Sequence, residues 1–166
     1  MIIRTATLED AKDISALLVA NSAEQGGQLH GDWSIGVVTK WIKSEALTLI
    51  ATDGLTLLGV LFTSEKAYAA TPPVIAMLKA WPGDPTAYVY GPVCVGETAR
   101  GRGVLAALYR ELTARLAGHE GILFIKRSNT RSLQAHIRLK MREVSSFVLD
   151  GEEFIVLSTR SSVASE

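Results

Sequence analysis

The segment Val93-Cys94-Val95-Gly96-Glu97-Thr98-Ala99-Arg100-Gly101-Arg102-Gly103-Val104-Leu105 runs from a β-rich apolar stretch through two closely spaced glycines into a helical pattern. Leu105, Leu108, Leu112 and Leu116 recur every three to four residues, which predicts a helix over about 103–117 with these leucines on its buried stripe. The first N–H groups of a helix have no internal partners and sit at the positive end of its dipole. Glycine removes the Cβ that would keep a phosphate away from them, so the turn is a potential anion cradle. Arg100 and Arg102 add two cations long enough to reach round a diphosphate. The competing reading is a tight strand–helix connection whose glycines serve geometry alone and whose arginines lie in solvent.

Outward from this turn, residues 87–95 read as a strand, bent where Gly91-Pro92 falls because proline cannot donate to a ladder. Downstream, 122–125 reads as a short buried strand and 129–140 as a helix with Leu133, Ile137 and Met141 at helical spacing. A closing hairpin, 144–149 and 154–157, turns at Asp150-Gly151. Upstream, 2–5 is a short strand, and Thr7 with Asp10 forms a helix N-terminal box before a helix ending near Asn21. A second helix is expected over 33–45, then a hairpin of 47–52 and 55–63 around Asp53-Gly54. Residues 65–86, with Pro72-Pro73 and Pro82-Gly83-Asp84-Pro85, read as an insertion of loop and short helix near 74–81. The terminal residues 161–166 are expected to fray.

The order is strand, two helices, an antiparallel meander, helix, strand, helix, hairpin. It predicts one α/β (α+β) domain, 1–166, with a mixed, mostly antiparallel central sheet of six to seven strands flanked by helices. Its segments are 1–64, the insertion 65–86, the strand–turn–helix–strand unit 87–126, and 129–160.

Composition narrows the function classes. The 166 residues carry 17 Lys plus Arg against 17 Asp plus Glu, so no net field draws in nucleic acid or an anionic membrane. A phosphate-bearing ligand must then be caught by local geometry. One cysteine, Cys94, excludes an internal disulfide and a cysteine-rich metal site, which fits a reducing compartment such as the cytoplasm. No apolar run reaches the ~20 residues that cross a bilayer, and Met1-Ile2-Ile3-Arg4 reads as an edge of structure rather than a signal peptide.

Three phosphate-binding patterns compete for the turn. A Walker loop needs Gly-Lys-Ser/Thr, and Gly103 is followed by Val104-Leu105. Gly101-x-Gly103-x-x-Ala106 fits a dinucleotide fingerprint formally, but that fingerprint belongs on a first strand with an acidic residue ending the next; here the next strand ends Ile125-Lys126-Arg127. The third pattern is Arg100-x-x-Gly103-x-Leu105, after a strand and opening an amphipathic helix. It resembles motif A (Gln/Arg-x-x-Gly-x-Gly/Ala) of the GNAT superfamily of acyl-CoA-dependent N-acyltransferases. Leu105 departs from it, standing where a small residue is usual. Asn129-x-x-Ser132-x-x-x-His136, running on to Lys140-Met141, has the spacing of the later family motif. His136 stands there for a Tyr, and Lys140-Met141 for Gly-Phe.

The resemblance covers residues 2 to about 160. It implies that Arg100, Gly101, Arg102, Gly103, Val104 and Leu105 hold the pyrophosphate of acetyl-CoA. It also implies that Val93, Val95, Asn129 and Ser132 serve the pantetheine side, and that no metal takes part. The reaction it implies is direct attack of an amine, in a small molecule or a peptide, on the thioester. The departing thiolate benefits from a proton donor, for which His136 stands in the Tyr position. An amine base is not singled out: Glu97, Tyr88, Tyr90 and a water relay all remain, and Glu97 reads most simply as a solvated loop residue. Asn129 suits a helix N-cap equally well. His136 also fits a half-buried helix histidine without chemistry. His30 and Trp33 lie where the family shapes its acceptor site, though they read otherwise as a loop histidine and a core tryptophan. Arg127, Arg131 and Arg138 read as a solvated face from which one arginine could reach the 3′-phosphate of CoA. Family members often pair through edge strands or C-terminal hairpins, so a homodimer is admitted. Two other functions remain on the same residues: a CoA-binding sensor or interaction module without turnover, and a nucleotide-dependent oxidoreductase.

Overall fold

The computed structural model describes residues 1–160; the expected fraying of 161–166 falls outside them. Seven strands, β1 (Ile2–Thr5), β2 (Thr48–Asp53), β3 (Thr56–Glu65), β4 (Tyr88–Val95), β5 (Gly121–Lys126), β6 (Arg142–Leu149) and β7 (Glu152–Ser158), form one sheet. Their order is β1-β2-β3-β4-β5-β7-β6. The β1–β2, β2–β3, β5–β7 and β6–β7 pairs are antiparallel, and β4–β5 is parallel. The expected mixed, mostly antiparallel sheet is present. Five helices accompany it: α1 (Ala11–Ala20), α2 (Ile35–Lys43), α3 (Pro72–Ala80), α4 (Val104–Arg115) and α5 (Thr130–Arg138).

By packing, the chain falls into two compact units. One is residues 1–63 with 91–117; the other is 64–90 with 118–166. Strand β4 passes from the second to the first at Tyr90–Gly91.

In the first unit, the Thr7–Asp10 box forms. Asp10 Oδ2 accepts from the Thr7 amide at 2.7 Å, and the same carboxylate takes a two-pronged contact from Arg4 at 2.8 and 2.9 Å. A 3₁₀ turn precedes α1, which buries Ile14 and Leu18. Helix α2 is shorter than expected, because Ser34 caps its start through the Val37 amide. Ile14, Leu18, Val38, Ile50, Val60, Phe62 and Cys94 make the core. Trp33 stacks on both Trp41 and Phe62, Trp41 lies tilted against Phe62, and the Trp41 indole donates to the Thr63 carbonyl at 2.9 Å. The buried stripe of α4 is Val104, Leu108 and Leu112. Leu105 and Leu116 are only half-buried, so the expected stripe was rotated by one position at its start. Gly59 of β3 permits the packing: a Cβ there would lie 3.0 Å from Val104 Cγ1 and 3.1 Å from the Cys94 carbonyl oxygen.

In the second unit, α3 begins on Pro72-Pro73 and not near residue 74. Proline suits the first turn of a helix, where its missing N–H is unpaired anyway. Met77 of α3 packs with Val89, Ile122 and Val156. The segment after α3 is latched by one carboxylate that the sequence reading passed over. Glu120, 2% exposed, accepts from the Trp81 indole at 3.0 Å, the Asp84 amide at 2.8 Å and the Ser158 hydroxyl at 2.6 Å. Lys66 Nζ adds bonds to the carbonyls of Pro82 (2.9 Å) and Asp84 (2.7 Å), and Arg160 pairs with Asp84. The 65–86 segment is thus tied down at its C-terminal end by these bonds. The closing hairpin turns through Asp150 (φ 52°) and Gly151 (φ 77°), both left-handed as a type I′ turn requires.

Helix α5 differs most from expectation. Ile137 is 41% exposed, and the residue it buries is His136. Its end is a Schellman turn, with the Met141 amide bonded to the His136 carbonyl at 3.4 Å and the Lys140 amide to that of Ile137 at 2.9 Å. Lys140 consequently takes φ 72°, a conformation that favours glycine. This is the position where Gly is usual in the resembling family. Lys140→Gly is therefore expected to stabilise the protein by about 1 kcal/mol, a rise of roughly 2–4 °C in Tm by thermal unfolding.

Candidate functional site

The turn between β4 and α4 belongs to the first unit. A short 3₁₀ turn, Glu97–Ala99, follows β4, and Gly101 and Gly103 then take φ 78° and 77°. Gly103 is the N-cap of α4, and no side chain caps the helix. Ala107 is the first helical amide bonded, to the Gly103 carbonyl at 3.0 Å. The amides of Val104, Leu105 and Ala106 point out of the helix start with no acceptor among the described residues. A Cβ added at Gly101 or Gly103 would meet nothing within 4 Å. Glycine is needed there for its left-handed backbone, and the space beside it is open.

This arrangement fits a diphosphate: unpaired donors, the positive end of a 12-residue helix, and no side chain in the way. The arginines have other partners. Arg100 donates to Asn21 Oδ1 at 3.0 Å, and Arg102 lies 3.4 Å from Asp53. Both members of the second pair are more than half exposed, so the contact is worth at most about 1 kcal/mol and yields readily to a polyanion. Leu105 is half-buried; its side chain does not occupy the core position that the sequence expects, and its amide remains unbonded.

Along β4, the Gly96 amide bonds the Leu58 carbonyl of β3 at 2.8 Å. N–H directions alternate along a strand, so the amides of Val93 and Val95 point to the opposite edge. The β4–β5 ladder has only the pairs Tyr88–Gly121 and Val89–Ile122. Cys94, on β4, is buried, and burial raises its thiol pKa to about 11, against a smaller opposite effect of Arg100. It is a neutral core thiol and no nucleophile. Glu97 is exposed on its turn.

The remaining named residues lie in the second unit. Asn129 caps α5, its side-chain oxygen accepting from the Ser132 amide at 3.4 Å. His136 is 2% exposed, and both ring nitrogens are engaged. Nδ1 lies 2.7 Å from the Ser132 carbonyl, which can only accept, so Nδ1 carries the proton of the neutral ring. Nε2 then accepts from the Tyr90 hydroxyl at 2.9 Å, and the two rings meet edge to face at 5.5 Å. Burial lowers the His136 pKa, while its bond to the Ser132 carbonyl pulls the other way. The histidine is neither at the surface nor half-buried. Tyr90, one of several bases left open by the sequence, is brought to it from 46 residues away. Among the other residues named from sequence, His30 is exposed, its carbonyl accepting from the Trp33 indole at 3.1 Å. Arg127 pairs with Glu153 at 2.8 Å, and Arg131 and Arg138 are exposed.

Among the described residues no helix is long and apolar enough to cross a membrane, and no three His, Cys, Asp or Glu side chains group to hold a metal. No protein-family model matches the chain, and no curated protein matches it as a relative. Solved structures do. An N-acetyltransferase from Staphylococcus aureus Mu50 has a TM-score of 0.71 at 17% identity, covering 95% of this chain and 96% of that one. The putative acetyltransferase yncA from Salmonella typhimurium, solved with acetyl-CoA, has a TM-score of 0.70 at 15% identity, covering 100% and 96%. Arabidopsis thaliana NAA60, in complex with acetyl-CoA, has a TM-score of 0.69 at 15% identity, covering 95% and 96%. Along essentially its whole length, the chain has the fold of the GNAT acetyltransferases.

Proposed function

We propose that the protein is a member of the GNAT superfamily that transfers an acetyl group from acetyl-CoA to an amine by direct attack. The observation that carries this reading is the row of unbonded amides at Val104, Leu105 and Ala106 above two left-handed glycines. That is a diphosphate seat built from backbone. Arg100 and Arg102 add charge once they exchange Asn21 and Asp53 for phosphate oxygens. The outward amides of Val93 and Val95 serve the pantetheine arm, and a strand-end amide near Val95 suits the carbonyl oxygen as it gains negative charge. Asn129 and Ser132 stay on the cofactor side of the proposal, with Asn129 already engaged as a helix cap. The acceptor is a small-molecule or peptide amine, and one buried thiol keeps the cytoplasm as the assigned compartment.

A second reading has one specific observation in its favour. His136, which stands where the family carries a proton-donating Tyr, is buried with both nitrogens occupied, as in a CoA-binding module without turnover. One experiment decides between them: calorimetry with acetyl-CoA, alongside thiol release with an amine panel that includes an alanine-starting peptide. Saturable binding with amine-dependent thiol release is expected. Binding without release on any amine supports the module, and no binding removes both readings.

A further inference from the structure

We propose that the outer face of α5 is a docking surface for an acidic, partly apolar segment of another protein, held by Arg131, Arg138 and Lys140 around Ile137. All four residues belong to the second unit, and their role is independent of acetyl transfer. In a chain of zero total charge, the stretch 121–142 carries Lys126, Arg127, Arg131, Arg138, Lys140 and Arg142 and no aspartate or glutamate. Arg127 is neutralised from within, by Glu153 at 2.8 Å. Arg131, Arg138 and Lys140 are exposed, and none of the three has a hydrogen-bond or ion-pair partner among the described residues.

A helix face kept only for solvent commonly mixes signs, as α4 does, where Arg115 pairs with Glu111 one turn away at 2.7 Å. On α5 two of the cations stand where they cost stability. Arg131 lies in the first turn, at the positive end of the helix dipole, with no acidic residue there to offset it. Lys140 holds φ 72°, a conformation that favours glycine. Residues that break local rules without a compensating contact inside the protein point to a use outside it.

The make-up of the face selects the partner. Arg131, Gln134 and Arg138 follow one another at three- and four-residue steps, so they form one row, with the two arginines about 10 Å apart along the axis. Ile137, 41% exposed, lies beside Arg138 and one turn from Gln134. An acidic segment that carries an apolar side chain uses both parts: carboxylates pair with the cations, and the isoleucine leaves water. A nucleic acid would use the cations alone. Its bases gain from stacking on aromatic rings, and 121–142 has no exposed Phe, Tyr or Trp.

The test is fluorescence anisotropy of a labelled peptide of repeating Asp-Glu-Leu, titrated with the full chain. The same peptide with serine for leucine and a labelled oligouridylate RNA are run beside it. Saturable binding of the leucine peptide is expected at about 50 mM salt, and much weaker binding at about 500 mM, because exposed charges are screened. Arg131→Gln and Arg138→Gln should each weaken it by about two- to fivefold, the weight of one exposed ion pair. Ile137→Ser should cost about as much as removing leucine from the peptide. The triple variant Arg131→Gln/Arg138→Gln/Lys140→Gly should bind at least about tenfold more weakly yet unfold at or above the wild-type Tm, a combination that a purely structural role does not produce. Arg110→Gln, on the exposed side of α4, should bind as the wild type does. No peptide binding at low salt, a triple variant that binds normally, an equal loss in Arg110→Gln, or tighter binding of the RNA than of the peptide would each overturn the proposal.

Discussion

Gly103→Glu is expected to weaken acetyl-CoA binding by about 100-fold or more while the protein stays folded. At φ 77° any side chain is strained by about 1–2 kcal/mol, a fraction of the 5–15 kcal/mol that holds a typical domain together. No atom lies within 4 Å of the new Cβ, so no clash adds to that. The glutamate carboxylate, however, would sit at the amides of Val104, Leu105 and Ala106. There it takes the donors a diphosphate needs and repels the phosphates. Losing charge-assisted bonds worth about 1.5–3 kcal/mol, together with that repulsion, gives the hundredfold loss. Gly103→Ala separates the two effects, since it carries the same backbone strain without the charge and should lose no more than about tenfold. The readout is calorimetry with acetyl-CoA on variants shown folded by circular dichroism. Unchanged affinity in folded Gly103→Glu would take the diphosphate away from this turn.

Glu120→Ala is expected to lower stability by roughly 3 kcal/mol, about 10 °C in Tm. Three donors converge on this carboxylate, from Trp81, Asp84 and Ser158, and alanine leaves the indole and the hydroxyl without an acceptor. The same bonds set a pH dependence. Burial alone would raise the Glu120 pKa, but the bonds from Ser158, Trp81 and the Asp84 amide, with the charge of Arg160, outweigh it and lower the value below 4.5. A carboxylate with a lowered folded-state pKa binds protons more readily when unfolded. Its contribution is therefore complete above about pH 4.5 and is lost as pH falls through the folded value. Denaturant unfolding at neutral pH and near pH 3 should show the wild type losing more stability on acidification than Glu120→Ala does. An equal loss in both would mean the clasp does not hold the segment.

Legibility varied along the chain with the range of the forces involved. The hairpin at Asp53-Gly54, the turn at Asp150-Gly151 and the glycines before α4 were plain, because each depends on backbone conformations that a few adjacent residues dictate. The helix expected near 74–81 begins two residues earlier, because Pro72-Pro73 fills its first turn, where proline costs no hydrogen bond. The stripe of α4 was misplaced by one residue because a run of leucines fits more than one helical face. The tertiary fold puts Val104 inward, against Gly59, where a Cβ would lie 3.0 Å from Val104 Cγ1.

The candidate site divides the same way. The open turn before α4 was written in the sequence, since left-handed glycines and unpaired helix-start amides are local consequences of Gly101-Arg102-Gly103-Val104. The partner of His136 was not. Tyr90 and His136 are 46 residues apart, and each looks like an ordinary member of its own strand or helix until the sheet brings them to 2.9 Å. Glu120 gave no sequence signal either, because a carboxylate is buried stably only when donors from elsewhere converge on it. By itself, then, the chain determined its element order and the turn of left-handed glycines that opens α4, which arise from neighbours in sequence. Tertiary structure alone decided which titratable groups are buried, what each is bonded to and which proton each carries, because solvation and hydrogen-bond partners are properties of the assembled neighbourhood.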